Sequence, residues 1–136
     1  MATATKNSYF YGIGRRKSTT ARIRLSSGKG EFIINSKDVN AYFADSKYLH
    51  FELFAPFTAL EIDPLKFKVT VRVSGGGHAS QVDAIRLGVS KALVEMNEDY
   101  KGTLKKADLL GRDPRKKERK KFGLKKARKQ RQFTKR

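Results

Sequence analysis

The chain closes on RDPRKKERKKFGLKKARKQRQFTKR, residues 112–136, a segment that cannot belong to a hydrophobic core. Its 25 residues include 14 lysines and arginines against only Asp113 and Glu118, so they carry +12 of the chain's +18 and leave +6 for residues 1–111. Phe122, Leu124, Ala127 and Phe133 are its only sizeable apolar or helix-favouring side chains; they form no stripe, and Gly123 interrupts them. Such a segment buries too little apolar surface to offset its ordering entropy and is expected to be disordered in isolation. Whatever fold the chain has must be built from residues 1–111, with residues 112–136 as an extended basic tail.

A body of this length can hold one real core. The chain of 136 residues has no cysteine, which removes disulfides, thiolate nucleophiles and cysteine-ligated zinc together. It has no run of 18 apolar residues, so no membrane partner is expected, and its beginning, MATATKNSYFYGIGRRKS, lacks the apolar stretch of a secretory signal. A cytoplasmic location is the expectation. The block of positive charge points to a polyanionic partner, because lysines and arginines on phosphates release condensed counterions, whereas solubility is served by interspersed charges of both signs.

Within the body, SYFYGIGRRKSTTARIRLSSGKGEFIIN reads as three short strands broken at GRRKS and SSGKG. Ala21, Ile23 and Leu25 share one face of the second strand, and Arg22 and Arg24 the other. Ser36 is placed as the N-cap of a short helix in SKDVNAYFA, and residues 45–64 read as helix plus loop. KFKVTVRVS, residues 66–74, alternates strictly, with Phe67, Val69, Val71 and Val73 toward a core and a cationic opposite face. After Gly75, Gly76 and Gly77, Ser80 with Asp83 gives a capping-box pattern. Val82, Ile85, Val89, Ala92, Leu93 and Met96 then form a helical stripe. YKGTLKKADLLG reads as a weaker last helix stopped at Gly111. The sum is an α+β two-layer sandwich.

The chemistry-bearing motifs are few. The triple glycine has neither G-x-G-x-x-G nor a following Gly-Lys-Ser/Thr, so it reads as a tight turn or as a place where RNA backbone meets bare peptide, rather than as a nucleotide cradle. In GIGRRKS, Arg15, Arg16 and Lys17 cluster at a hairpin tip beside Gly12 and Gly14, as either a phosphate-contacting loop or an ordinary solvated turn. His50 and His78 have no partner at a ligand or nucleophile spacing. No catalytic residue, metal site or cofactor is expected. As for the tail, 25 extended residues reach roughly 80 Å, far beyond a radius of gyration near ~13 Å for a body of about 100 residues, so it should thread into something larger.

GIGRRKSTTARIRL, VSGGGHASQVDAIRLGVSKAL and the closing RDPRKKERKKFGLKKARKQRQFTKR, in that order, resemble the bacterial type of small-subunit ribosomal protein S-nine. The resemblance covers nearly the whole chain from Tyr9. It implies a β3-α-β-α fold like the second domain of ribosomal protein S-five. It also implies a structural role in the small-subunit head beside neighbouring ribosomal proteins, with no enzymatic activity. The body would bind small-subunit rRNA. The tail would thread through rRNA until Thr134, Lys135 and Arg136 reach the anticodon stem-loop of the peptidyl-site tRNA. The rRNA-binding residues would be Arg15, Arg16 and Lys17, with Arg112, Arg115, Lys116, Lys117, Arg119, Lys120, Lys121, Lys125, Lys126, Arg128, Lys129 and Arg131. Gly12, Gly14, Gly75, Gly76 and Gly77 would allow RNA to approach. Thr134 keeps the hydroxyl of the family's usual Ser. Arg131 stands where Pro is common, and Ser80 and Val82 where Gly and Ala are. A bacterial cytoplasmic ribosome fits best, with a chloroplast ribosome as the alternative. A free-standing nucleic-acid-binding protein is the competing class, and an enzyme of RNA metabolism a distant third.

Overall fold

The computed structural model describes residues 8–135. A mixed five-stranded sheet has the order β1-β2-β5-β3-β4, with β1 Phe10–Arg16, β2 Thr19–Ser27, β3 Phe32–Ile34, β4 Lys37–Asp38 and β5 Phe67–Ser74. β1, β2 and β5 are antiparallel neighbours, whereas β3 lies parallel to β5. The chain crosses from β3 to β5 through β4, three short helices, α1 Val39–Tyr42, α2 Lys47–Leu53 and α3 Ala55–Ala59, and a 3-10 turn at Pro64–Lys66. α4 His78–Met96 packs mainly on β1 and β2, and α5 Tyr100–Lys106 follows. The α+β class and the three opening strands are as the sequence suggests.

The period-two pattern explains the sheet. Ala21, Ile23 and Leu25 of β2 and Val69, Val71 and Val73 of β5 are buried beneath α4 and the short helices, while Arg22, Arg24, Lys68 and Arg72 alternate with them on the open face. Burying each Val, Leu or Ile of that layer contributes about 1.5–3 kcal/mol. From α4 come Val82, Ile85, Val89, Ala92 and Leu93, all at most 1 % exposed. The helix buries a wider band than a single stripe, because Ser80, Gln81, Ala84, Leu87, Gly88 and Ser90 are also buried. Gln81 is satisfied there by the Tyr42 hydroxyl at 2.9 Å and by donating to the Gly75 carbonyl at 3.1 Å.

Three helix boundaries differ from the sequence-based expectation. The first short helix is capped by Asp38, whose carboxylate accepts from the Asn40 N–H, and Ser36 instead sits in a turn with φ 66°. α4 begins at His78 after Gly77, so Ser80 lies buried within its first turn rather than capping it. Once Gly75 and Gly76 have turned the chain at φ 78° and 64°, the helix can start at once, and a capping box is not needed. α5 stops before Gly111 because Asp108 takes the left-handed conformation at φ 59°. The Asp108 N–H then donates to the Lys105 carbonyl (3.1 Å) and the Leu109 N–H to that of Leu104 (3.0 Å), with both leucines buried, a Schellman stop.

Residues 112–135 contain no helix or strand and are mostly exposed. Their local order is limited to turns, one near Gly123 at φ 80° and one in which the Lys125 N–H donates to the Lys129 carbonyl at 2.8 Å.

Candidate nucleic-acid interface

The hairpin between β1 and β2 is tighter than GRRKS suggests. β1 runs to Arg16, which pairs with Thr19, leaving Lys17 and Ser18 as a two-residue turn. Lys17 is exposed at its tip with φ 52°, a left-handed conformation costing a non-glycine residue about 1 kcal/mol. Arg15 is exposed on the open face of the sheet, opposite Thr20.

Arg16 turns away from the tip. Its side chain is 13 % exposed and reaches Asp83 of α4 at 3.5 Å and Asp113 at 3.4 Å, while donating to the Arg115 carbonyl at 2.7 Å. It joins the end of β1 to α4 and to the start of the cationic segment. Asp83 also meets Arg86 at 3.5 Å, and Arg86 is paired with Glu52 of α2. Adjacency in the sequence groups Arg16 with Arg15 and Lys17, whereas neighbouring strand residues point to opposite faces.

Gly12 and Gly14 also require correction. Both are buried, and their bare faces meet α4 rather than solvent. A Cβ on Gly12 would lie 2.1 Å from the Gly88 carbonyl oxygen, and one on Gly14 would lie 1.6 Å from that of Ala84. The close approach these glycines permit in the folded chain is that of helix to strand. Gly75, Gly76 and Gly77 are exposed; Gly75 and Gly76 serve the turn, and Gly77 has open space around it at the start of α4.

In the cationic segment, Asp113 accepts from the Arg115 guanidinium at 2.8–3.0 Å and from its backbone N–H at 3.0 Å. These bonds hold the Asp113 carboxyl well below the usual carboxylate range and raise Arg115 in turn. Glu118 pairs with Lys121 at 2.6 Å and Arg128 at 2.9 Å. Both carboxylates of the segment are thereby occupied. Among the described residues, no carboxylate pairs with Arg112, Lys116, Lys117, Arg119, Lys120, Lys125, Lys126, Lys129, Arg131 or Lys135. Phe122 and Phe133 stand fully or largely in solvent. Thr134 and Lys135 are exposed, and Arg136 lies outside the described residues.

Histidine chemistry does not emerge. His50 Nε2 is buried with no partner among the described residues, and His78 packs against the rings of Phe43 (5.6 Å) and Tyr42 (5.9 Å). Among the described residues, no three His, Asp or Glu side chains are grouped to hold a metal, and no helix is long and apolar enough to cross a membrane.

An open sheet face and a terminal segment, both cationic and both largely without internal counter-charges, are suited to holding polyanions. The family model described as "Ribosomal protein S9/S16" matches residues 14–136, and the chain therefore belongs to that family of structural, rRNA-binding proteins of the small ribosomal subunit.

Proposed function

We propose that this protein sits in the head of the small subunit, its body on rRNA beside neighbouring ribosomal proteins, and that residues 112–136 thread through rRNA to bring Thr134, Lys135 and Arg136 to the anticodon stem-loop of the peptidyl-site tRNA. The observation that carries this reading is the run of mostly exposed cations from Arg112 to Lys135, without helix or strand and with the two carboxylates of that segment, Asp113 and Glu118, already engaged. Such a segment, held internally only by turns and a few ion pairs, is suited to gaining its order among phosphates. Three strands, a crossover through the short edge strand β4 and three short helices, then β5 and α4, support the likeness to the second domain of ribosomal protein S-five. The cytoplasmic ribosome of a bacterium is the proposed setting, with that of a chloroplast as the alternative.

At the tip, Lys135 offers a point charge and Arg136 a planar fork for anticodon-stem phosphates, while Thr134 adds a hydroxyl. Exposed Phe133 can pack on a base or sugar just upstream. Phosphate contacts position without reading bases, so the tip should aid every peptidyl-site tRNA alike. Deleting Thr134, Lys135 and Arg136 should leave subunit assembly largely intact and weaken peptidyl-site tRNA affinity by about 1–3 kcal/mol, the scale of charged hydrogen bonds. Filter binding of several tRNAs to purified subunits tests this. Equal affinity with and without the three residues would remove the tRNA role and leave rRNA anchoring.

A further inference from the structure

We infer that the open face of the sheet is a separate docking surface for rRNA backbone phosphates, centred on Arg22 and Arg72; this rests on the rRNA-binding reading above and assigns it a place on the body.

Arg22 of β2 and Arg72 of β5 are register partners, directly opposite one another on the same exposed face. Arg24 is two residues along β2, opposite Tyr11 on one side and Thr70 on the other, and Arg15 closes the end of the face beside Thr20. Like charges opposite each other across strands destabilise a sheet, and opposite charges or β-branched residues would serve it better. The usual remedy, a carboxylate between the cations, is missing: among the described residues none pairs with Arg15, Arg22, Arg24 or Arg72. On the same sheet, Lys68 is neutralised by Glu31 at 3.0 Å, so carboxylate pairing does occur at the margin of this face and is absent at its centre.

The shape fits an extended anionic strand. A groove of about 480 Å³ is lined by Arg15, Thr20, Arg22, Arg72, Val73 and Ser74. A neighbouring one of about 160 Å³ is lined by Tyr11, Arg22, Arg24, Thr70 and Arg72. Their shared walls are Arg22 and Arg72, so the two run together as one cationic trough with hydroxyl groups from Thr20, Thr70 and Ser74 along it. Exposed Tyr9 and Tyr11 flank its far end, Tyr9 with the Arg24 guanidinium 5.0 Å from its ring centroid. Arginine forks for phosphate oxygens, hydroxyls and aromatic rings for sugar or base are what RNA backbone recognition uses. An acidic protein surface would satisfy the charge but has no particular use for the aromatic end.

The test compares the unaltered full-length chain with the double variants Arg22→Gln/Arg72→Gln and Arg22→Lys/Arg72→Lys. Affinity for purified small-subunit rRNA is measured across a salt series, beside thermal unfolding of each free protein. The glutamine variant should lower the salt slope of log affinity by about 1.4–1.8, from ~0.7–0.9 for each of two phosphates no longer neutralised, while its melting temperature holds or rises as repulsion is relieved. The lysine variant should keep the slope. Binding by the unaltered chain with an unchanged slope in the glutamine variant overturns the inference and leaves the rRNA reading standing. An unchanged slope with loss of retention in assembled subunits likewise overturns it, in favour of an acidic protein neighbour. If the glutamine variant melts early, the lysine variant decides: a reduced slope there, with charge retained, overturns the inference. No rRNA binding by the unaltered chain would overturn the functional reading itself, and this inference with it.

Discussion

Gly14 of β1 lies so close to Ala84 of α4 that a Cβ on it would fall 1.6 Å from the Ala84 carbonyl oxygen and 2.7 Å from the Gly88 N–H nitrogen. The obstacle is backbone on both sides, so no side chain can swing away to make room. Gly14→Ala must push α4 off the sheet, and should cost about 3 kcal/mol or more, the upper end of overpacking penalties. Urea unfolding of the variant reads this directly. Unchanged stability together with weakened RNA binding would return Gly14 to the RNA-facing role that the sequence alone suggests.

Arg16 anchors the start of the cationic segment through Asp113 and the Arg115 carbonyl. Arg16→Gln should lower stability by only about 1 kcal/mol, since partly exposed pairs contribute little. It should nevertheless speed tryptic cleavage after Arg112 and Arg115, the sites that it holds against the body. Cleavage there at the unaltered rate would make the contact incidental.

In the isolated protein, limited trypsin digestion should remove residues beyond 115 well before it cuts within β5 or α4. The contrast follows from packing, because the long helix and its strand are buried in the core whereas the terminal segment is exposed and without regular structure. Equal resistance of the two regions would contradict the division into body and tail.

Asp113 carries a pH signature. Its carboxyl is depressed in the folded chain, first by the Arg115 side chain and then by the Arg115 backbone N–H. A depressed carboxylate contributes stability that is present above its unfolded value of 3.8 and is lost as pH falls through the lower folded value. The contact should therefore survive mild acid. A carbon-detected NMR titration should place the Asp113 midpoint well below 3.8, moving up toward it in Arg115→Gln. A midpoint at 3.8 in the unaltered chain would mean that the pair does not form in solution.

The strands are legible because burial writes itself into period two: Val69, Val71 and Val73 alternate with Lys68, Thr70 and Arg72 in the sequence as they do across the sheet. Residues 45–64 read as a mixture of helix and loop because two short helices meet at Phe54, which caps the end of one and the start of the next. The capping signals mislead at Ser36 and Ser80, since Asp38 and the glycine turn supply alternatives that composition does not rank. The interface is half legible. Charge density marks the tail and the cationic alternation marks the open face, but only register shows that Arg22 and Arg72 confront each other. Strand alternation puts Arg16 on the face opposite exposed Arg15, but only the fold shows that two carboxylates wait for it there.

Salt-resistant association with the small subunit tests the central claim most directly. Native lysate, washed in high salt and sedimented, should yield the full-length chain with small ribosomal subunits, and a chain ending at residue 111 should be depleted from them. Salt screens isolated phosphate contacts, but a segment threaded among folded rRNA is also held by enclosure. Release of the full-length chain by the wash, or its recovery with DNA and assorted RNAs, would contradict the account and identify a free-standing nucleic-acid-binding protein.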